Sequence, residues 1–187
     1  MGSSMGSDRR MLRNYLLTFQ QWRHKTAFMP RKVRVQYPDA ISHVMSCGDQ
    51  RDDIFFGDVD RHDFIKTLAE ACQKTDWQVH AFCLMRNHYH LVVQTPNGNL
   101  VAGMQWLQST YTIRFNNRHA MAGHVLSGRY KAQLIEGGGN GYLRTACDYV
   151  HLNPARAKLL APRDRLLACP WSSFPLYLAA QKHRPAW

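Results

Sequence analysis

The sequence contains no run of about 18 apolar residues, so it predicts no membrane-crossing helix. Arg, Gln or His interrupts every apolar stretch within ten residues. Residues 1–28 carry basic side chains but no sustained apolar segment ending in a small-residue cleavage site, so no secretion signal is read there. The five cysteines (Cys47, Cys72, Cys83, Cys147 and Cys169) are odd in number and widely spaced, and none forms a CxxC pair. That excludes a zinc knuckle or a disulfide framework and reads as buried thiols in a reducing compartment. No GxxxxGK[ST] loop is present, which argues against a nucleotide-driven motor. Acidic residues are scarce: 13 Asp and Glu face 24 Lys and Arg, for a net charge of +11.

What is present describes one domain. A chain of 187 residues is long enough to bury an ordinary core. Hydrophobic residues at 45% exclude disorder throughout. A net charge this positive points to a polyanion, nucleic acid being the commonest, with solubility as the plainer alternative. Residues 1–28 read as an N-terminal extension and 29–187 as the domain. Without the extension the charge falls from +11 to +7, so the domain itself is basic.

Periodicity orders the elements. AISHVMSC (40–47) reads as a strand closed by Gly48-Asp49. Residues 59–75 place Phe64, Ile65, Leu68, Ala69 and Cys72 at helical spacing, with Asp60 as the N-cap. WQVHAFCLM (77–85) and HYHLVVQT (88–95) read as strands joined by a turn at Arg86-Asn87. A second helix spans 99–118, with Met104, Leu107, Tyr111 and Phe115 on one side. GRYKAQLIE (128–136) is a fourth strand, broken by Gly137-Gly138-Gly139. A third helix covers 140–153 and stops at Pro154, and a short helix lies within 171–181. The order β-α-β-β-α-β predicts an α+β, ferredoxin-like sandwich with an added C-terminal helix, an architecture that names no function.

The chemistry concentrates in two short motifs. His88 and His90 are two apart on a strand, so they share a face about 7 Å apart. Two imidazoles placed this way can converge on a divalent cation, although an HxH pair in a strand is also compatible with an incidental role. Tyr89 points the other way, into the packing. In CDYVHLNP (147–154), Tyr149 and Asn153 are four apart and share a helix face. Asn153 offers an amide oxygen to a metal, and Tyr149 then lies beside it. Taken alone, Tyr149 also reads as a core anchor and Asn153 as a helix stop.

Together these stretches resemble the REP-associated tyrosine transposases of the Y1, IS200-like group. The resemblance runs through YPDAISHVMSCGDQRDDIF, WQVHAFCLMRNHYHLVVQTP, GHVLSGRYKAQLIE, YVHLNPARAKLL and PWSSFPLY. It implies a single-stranded DNA endonuclease and strand transferase of the HUH type in a bacterial cytosol, acting on DNA hairpins. In that reading His88, His90 and Asn153 hold Mg²⁺ or Mn²⁺. Tyr149, on the added helix, is the nucleophile that forms a 5′-phosphotyrosine. A harder cation suits a set that offers Asn rather than Cys or more His, and a covalent intermediate conserves bond energy without ATP.

Other residues read less sharply. Arg31, Lys32, Arg34, Arg114, Arg118, Arg129, Lys131 and Arg156 are candidate phosphate contacts that position rather than specify. Lys158 and His119 stand beside them, and solvated surface charge is the alternative for each. Trp106, Trp171 or Tyr37 can stack an unpaired base, although packing is the better reading. Tyr142 is the nearest competitor of Tyr149, while Tyr111 and Tyr130 read as structural. His43 and His151 read as packing or phosphate contacts, not ligands. Arg86 and residues 1–28 depart from the family pattern. A hairpin-binding protein without catalysis is the alternative function. A replication initiator or relaxase needs more chain than this sequence has. The resemblance implies a monomer or weak homodimer, with Gly137-Gly138-Gly139 as the hinge of any helix exchange.

Overall fold

The alternation seen in the sequence builds a four-stranded antiparallel sheet. A computed structural model describes residues 35–135, 140–161 and 163–179. The chain divides between Val35 and Gln36, and the sheet with its helices belongs to the unit that begins at Gln36. The strands are β1 (Ala40–Cys47), β2 (Gln78–Met85), β3 (His88–Thr95) and β4 (Lys131–Leu134), in the spatial order β2-β3-β1-β4. The long helices are α1 (Asp58–Thr75), α2 (Leu100–His119) and α3 (Asn140–His151); α4 (Asn153–Arg156) and α5 (Phe174–Leu178) are short. This is the split β-α-β arrangement the sequence predicts, with a further helix after β4.

The two faces of the sheet do different things because successive side chains alternate. Tyr89, Leu91 and Val93 of β3, with Val44 of β1 and Phe82 and Leu84 of β2, join one buried cluster. Phe64 and Leu68 of α1 and Met104, Leu107, Tyr111 and Phe115 of α2 complete it. Burial of each large side chain contributes roughly 1.5–3 kcal/mol, so this layer is the main core. Gly103 of α2 lies directly under the Trp77 indole; a Cβ there would fall 2.1 Å from the ring. The other face presents His88, His90 and Val92, and α3 packs on it against β2 and β3.

Several boundaries differ from the sequence reading, each for a local reason. Helix α1 begins at Asp58 behind Gly57 as N-cap, not at Asp60. Asp60 sits at the third helical position and accepts the backbone N–H groups of Phe56 (2.8 Å) and Gly57 (3.3 Å). Strand β4 is shorter than 128–136, because Gly128 takes a positive φ of 56° and Tyr130 turns into the core before the ladder begins. Helix α3 ends at His151 rather than at 153, and Pro154 lies in the first turn of α4, where its missing N–H does no harm. Of the described part of the expected terminal helix (171–179), residues 174–178 are helical. Residues 171–173 instead run along the edge of β2, with Leu84 N donating to Trp171 O (2.8 Å) and Ser173 N to Phe82 O (2.9 Å). The triple glycine and residues 1–34 lie outside the described residues, and with them the hinge, the extension and Arg31, Lys32 and Arg34.

Candidate active site

Strand register sets the site. Met45 of β1 and Cys83 of β2 flank His90, while Cys47 and Met85 flank His88. The His88 and His90 rings lie edge to face with centroids 5.2 Å apart. His90 is buried (3% exposed) and His88 is half-buried.

Each ring is held through its Nδ1. His88 Nδ1 is 2.8 Å from Asn87 Oδ1. The Asn87 amide is oriented in turn by its Nδ2, which donates to Arg51 O at 3.2 Å. His90 Nδ1 is 3.0 Å from His43 Nε2, and these two rings stack at 5.2 Å. Burial lowers the pKa of His43 to about 4 and also lowers that of His88. Burial, reinforced by the neighbouring His43 and His88, brings His90 well below the ordinary value. All three imidazoles are therefore neutral at pH 7, the state in which a ring nitrogen can bind a metal.

Helix α3 brings Tyr149 onto this face. Its ring is 5.5 Å from that of His43 and 6.1 Å from that of His90. Only 8% of Tyr149 is exposed. Burial raises the phenol pKa, and the charge and hydrogen bond of Arg156 oppose that rise. The Arg156 guanidinium carbon stands 4.7 Å from the ring centroid, where a cation meets the negative face of the π system. One turn on, Asn153 Nδ2 donates to Tyr149 O (3.1 Å) and Val150 O (3.5 Å), closing the end of α3. That orientation leaves Oδ1 as the end of the amide not bonded to the helix.

Two neutral imidazoles and an amide oxygen suit a divalent cation of intermediate to hard character, with water and phosphate oxygens completing its shell. Among the described residues, no three His, Cys, Asp or Glu side chains form a ready-made cage for a metal.

The candidate phosphate contacts divide into two groups. By register Lys131 pairs with Met45, which pairs with His90, so Lys131 lies on the histidine face, and it is exposed. Arg129 and Arg156 are exposed as well. Arg114 and Arg118 are not brought to the site. They lie on α2, across the sheet, paired with acidic groups of α1. Arg114 contacts Glu70 at 2.9 Å and Thr67 at 2.7 Å. Arg118 contacts Asp60 at 2.9 Å and Asp63 at 3.0 Å, and His119 also bonds Asp60.

Of the aromatic candidates, Trp106 and Trp171 pack against the core, and Tyr37 is exposed. Tyr142 is exposed while Tyr149 is buried among the histidines. Two histidines that the sequence reads as packing or phosphate contacts, His43 and His151, are packed in the structure. His43 is fully buried against His90. His151 is buried with its Nε2 2.8 Å from Ser173 Oγ. The signal for His43 was an imidazole within a largely apolar strand. Asn87 gave no signal beyond its place in a turn.

The chain belongs to the IS200-like transposase family, whose sequence profile matches residues 36–153, well over half of its length. That makes it a member of a family of DNA transposases. In fold it is similar to a solved REP-associated tyrosine transposase bound to a REP hairpin. The identity is 12% and the TM-score 0.66, over 84% of this chain and 89% of that one. A candidate transposase from Deinococcus radiodurans R1 matches at 13% identity over 65% of this chain and 95% of that one; its TM-score of 0.44 is too low to carry a fold argument. No curated protein matches the chain in sequence.

Proposed function

We propose that this transposase is a metal-dependent, single-stranded DNA endonuclease and strand transferase that acts on DNA hairpins through a phosphotyrosine on Tyr149. The observation that carries the reading is the meeting of Tyr149, from α3, with the His90 ring at 6.1 Å on one face of the sheet. Family membership and the hairpin bound by the structural relative support a DNA hairpin as substrate.

In this reading His88, His90 and Asn153 hold Mg²⁺ or Mn²⁺. A cation there supplies Lewis-acid polarisation of the scissile phosphate. The chain's own residues do the rest. Tyr149 Oη attacks phosphorus and loses its proton. The bond to the 3′ oxygen breaks, that oxygen gains a proton, and the 5′ phosphate stays on the tyrosine. Attack by another 3′-hydroxyl reverses the step and joins new DNA, with the phenol regenerated. Arg156 stabilises the phenolate as it forms. Lys131, Arg129 and Arg156 meet backbone phosphates, and the pairing of Tyr149 with its own sheet supports a complete site within one chain, as a monomer or weak homodimer. A cytosolic, nucleoid-associated location follows from the substrate.

The test is an end-labelled hairpin with a single-stranded flank, incubated with protein and Mn²⁺. A covalent adduct is expected on a denaturing gel, lost with EDTA and lost in Tyr149→Phe. Hairpin binding without any adduct would leave a DNA-hairpin-binding protein and refute the catalytic reading.

A further inference from the structure

Each ring of the histidine pair already has a dedicated partner at its Nδ1. The partner of His88 is an amide oxygen, which can only accept, because the Asn87 Nδ2 end is turned to the Arg51 carbonyl at 3.2 Å. Nδ1 of His88 therefore carries the hydrogen, and Nε2 keeps its lone pair. The partner of His90 is another imidazole nitrogen, His43 Nε2, at 3.0 Å. His43 reaches it from the neighbouring strand, opposite Val92 and one position diagonal to His90.

We propose that His43 and Asn87 are positioning residues of the metal centre: each accepts the Nδ1 hydrogen of one histidine, His43 from His90 and Asn87 from His88, and so fixes both rings with Nε2 as the coordinating nitrogen. The inference rests on the metal-binding role proposed above for His88 and His90. Its physical basis is that an unassisted imidazole samples two tautomers, only one of which offers Nε2. A second hydrogen bond fixes the tautomer and the ring plane before the metal arrives and raises ligand basicity. The arrangement also explains a buried imidazole on β1 that contacts the site but is neither the nucleophile nor one of the proposed ligands. Full burial of His43 between His90 and Tyr149 lets it hold the ring plane as well as the proton.

The first test uses the unsubstituted, metal-free chain. Long-range ¹H–¹⁵N spectra of the histidine rings are expected to show the hydrogen of His88 and of His90 on Nδ1. A hydrogen on Nε2 of His90 overturns the role given to His43. The second test titrates Mn²⁺ and measures free ion by EPR. His43→Leu and Asn87→Ala are each expected to weaken binding by about 10–100-fold, while His43→Gln, which keeps an acceptor, recovers most of the loss. Asn87 stands in a turn outside the core, so Asn87→Ala reads the effect even if His43→Leu fails to fold. Folded variants that bind Mn²⁺ within twofold of the parent overturn this proposal alone. A parent chain that binds no Mn²⁺ overturns both this and the metal-dependent reading.

Discussion

The guanidinium of Arg156 lies over the ring of Tyr149, 4.7 Å from its centroid. Two opposed influences therefore meet on one phenol. Burial holds the proton on, and the cation eases its departure. Replacing Arg156 with Ala removes the second influence and leaves the first, so the phenol pKa rises further. Adduct formation at neutral pH is expected to fall roughly two- to tenfold, and the rising limb of its pH–rate profile, set by loss of the phenol proton, moves to higher pH. Arg156→Lys keeps the charge and is expected to fall between the two. Hairpin affinity, measured separately by anisotropy, distinguishes this from a phosphate contact. A loss confined to affinity, with an unmoved profile, would contradict the assignment.

Lys131 and Arg114 make a controlled comparison. Both are basic, and both look alike in the sequence. Lys131 is on the histidine face, whereas Arg114 is paired with Glu70 across the sheet. Lys131→Ala is expected to weaken hairpin binding and to lower the slope of log K against log salt by about 0.7–0.9, one phosphate contact. Arg114→Ala is expected to leave that slope unchanged and to lower stability instead. Equal slopes for the two variants would remove Lys131 from the DNA surface.

Asp60 governs the acid stability of the other layer. Its side chain is buried and receives Arg118, His119 and the Phe56 N–H. Burial alone would raise its pKa, but these three bonds outweigh it and hold the carboxyl below the ordinary 3.8. Below pH 3.8 the unfolded chain therefore binds more protons at this site than the folded chain. The stabilisation is complete above that pH and is lost as pH falls through the folded value. Asp60→Ala leaves several donors unpaired and is expected to lower stability by about 2–4 kcal/mol at pH 7 in urea unfolding. Its stability should also fall less steeply below pH 4 than that of the parent. An acid limb as steep as the parent's would show that other carboxylates control it.

The contrast between these residues shows what the sequence could and could not carry. The His88–His90 pair was legible because period two on a strand is a local property, and Tyr149 was placed on a helix by the same kind of local pattern, whereas Asn153 falls in α4, past the end of α3. Strands β1 and β3 were legible from end to end for the same reason. The bond from His43 to His90 was not, because it depends on which residues of two strands stand opposite one another across 47 positions of chain. The pairing of Arg114 and Arg118 with α1 was hidden likewise: charge shows in a sequence, but the neighbour that neutralises it does not. Strand β4 was overestimated because its apolar pattern includes Tyr130, which is buried outside the ladder.

The segment after Cys169 supplies the last prediction. Ser173 Oγ accepts the Phe82 N–H at 2.8 Å, donates to the Phe82 carbonyl at 3.3 Å and lies 2.8 Å from His151 Nε2. The hydroxyl thus ties three elements together: the edge of β2, the end of α3 two residues beyond Tyr149, and the chain leading into α5. Phe174 and Tyr177 close over the His151 ring at 5.6 and 5.1 Å. Ser173→Ala removes the hydroxyl and leaves a buried N–H and a buried imidazole nitrogen without it, for an expected loss of about 1–3 kcal/mol in urea unfolding. Because α3 carries Tyr149, the same variant should slow adduct formation more than it weakens Mn²⁺ binding, since two of the three proposed ligands, His88 and His90, stand on β3 and only Asn153 follows α3. Ser173→Thr, which keeps the hydroxyl, should recover part of both losses. Slower cleavage accompanied by an equal fall in Mn²⁺ affinity would mean that Ser173 supports the whole histidine face and not the nucleophile helix in particular.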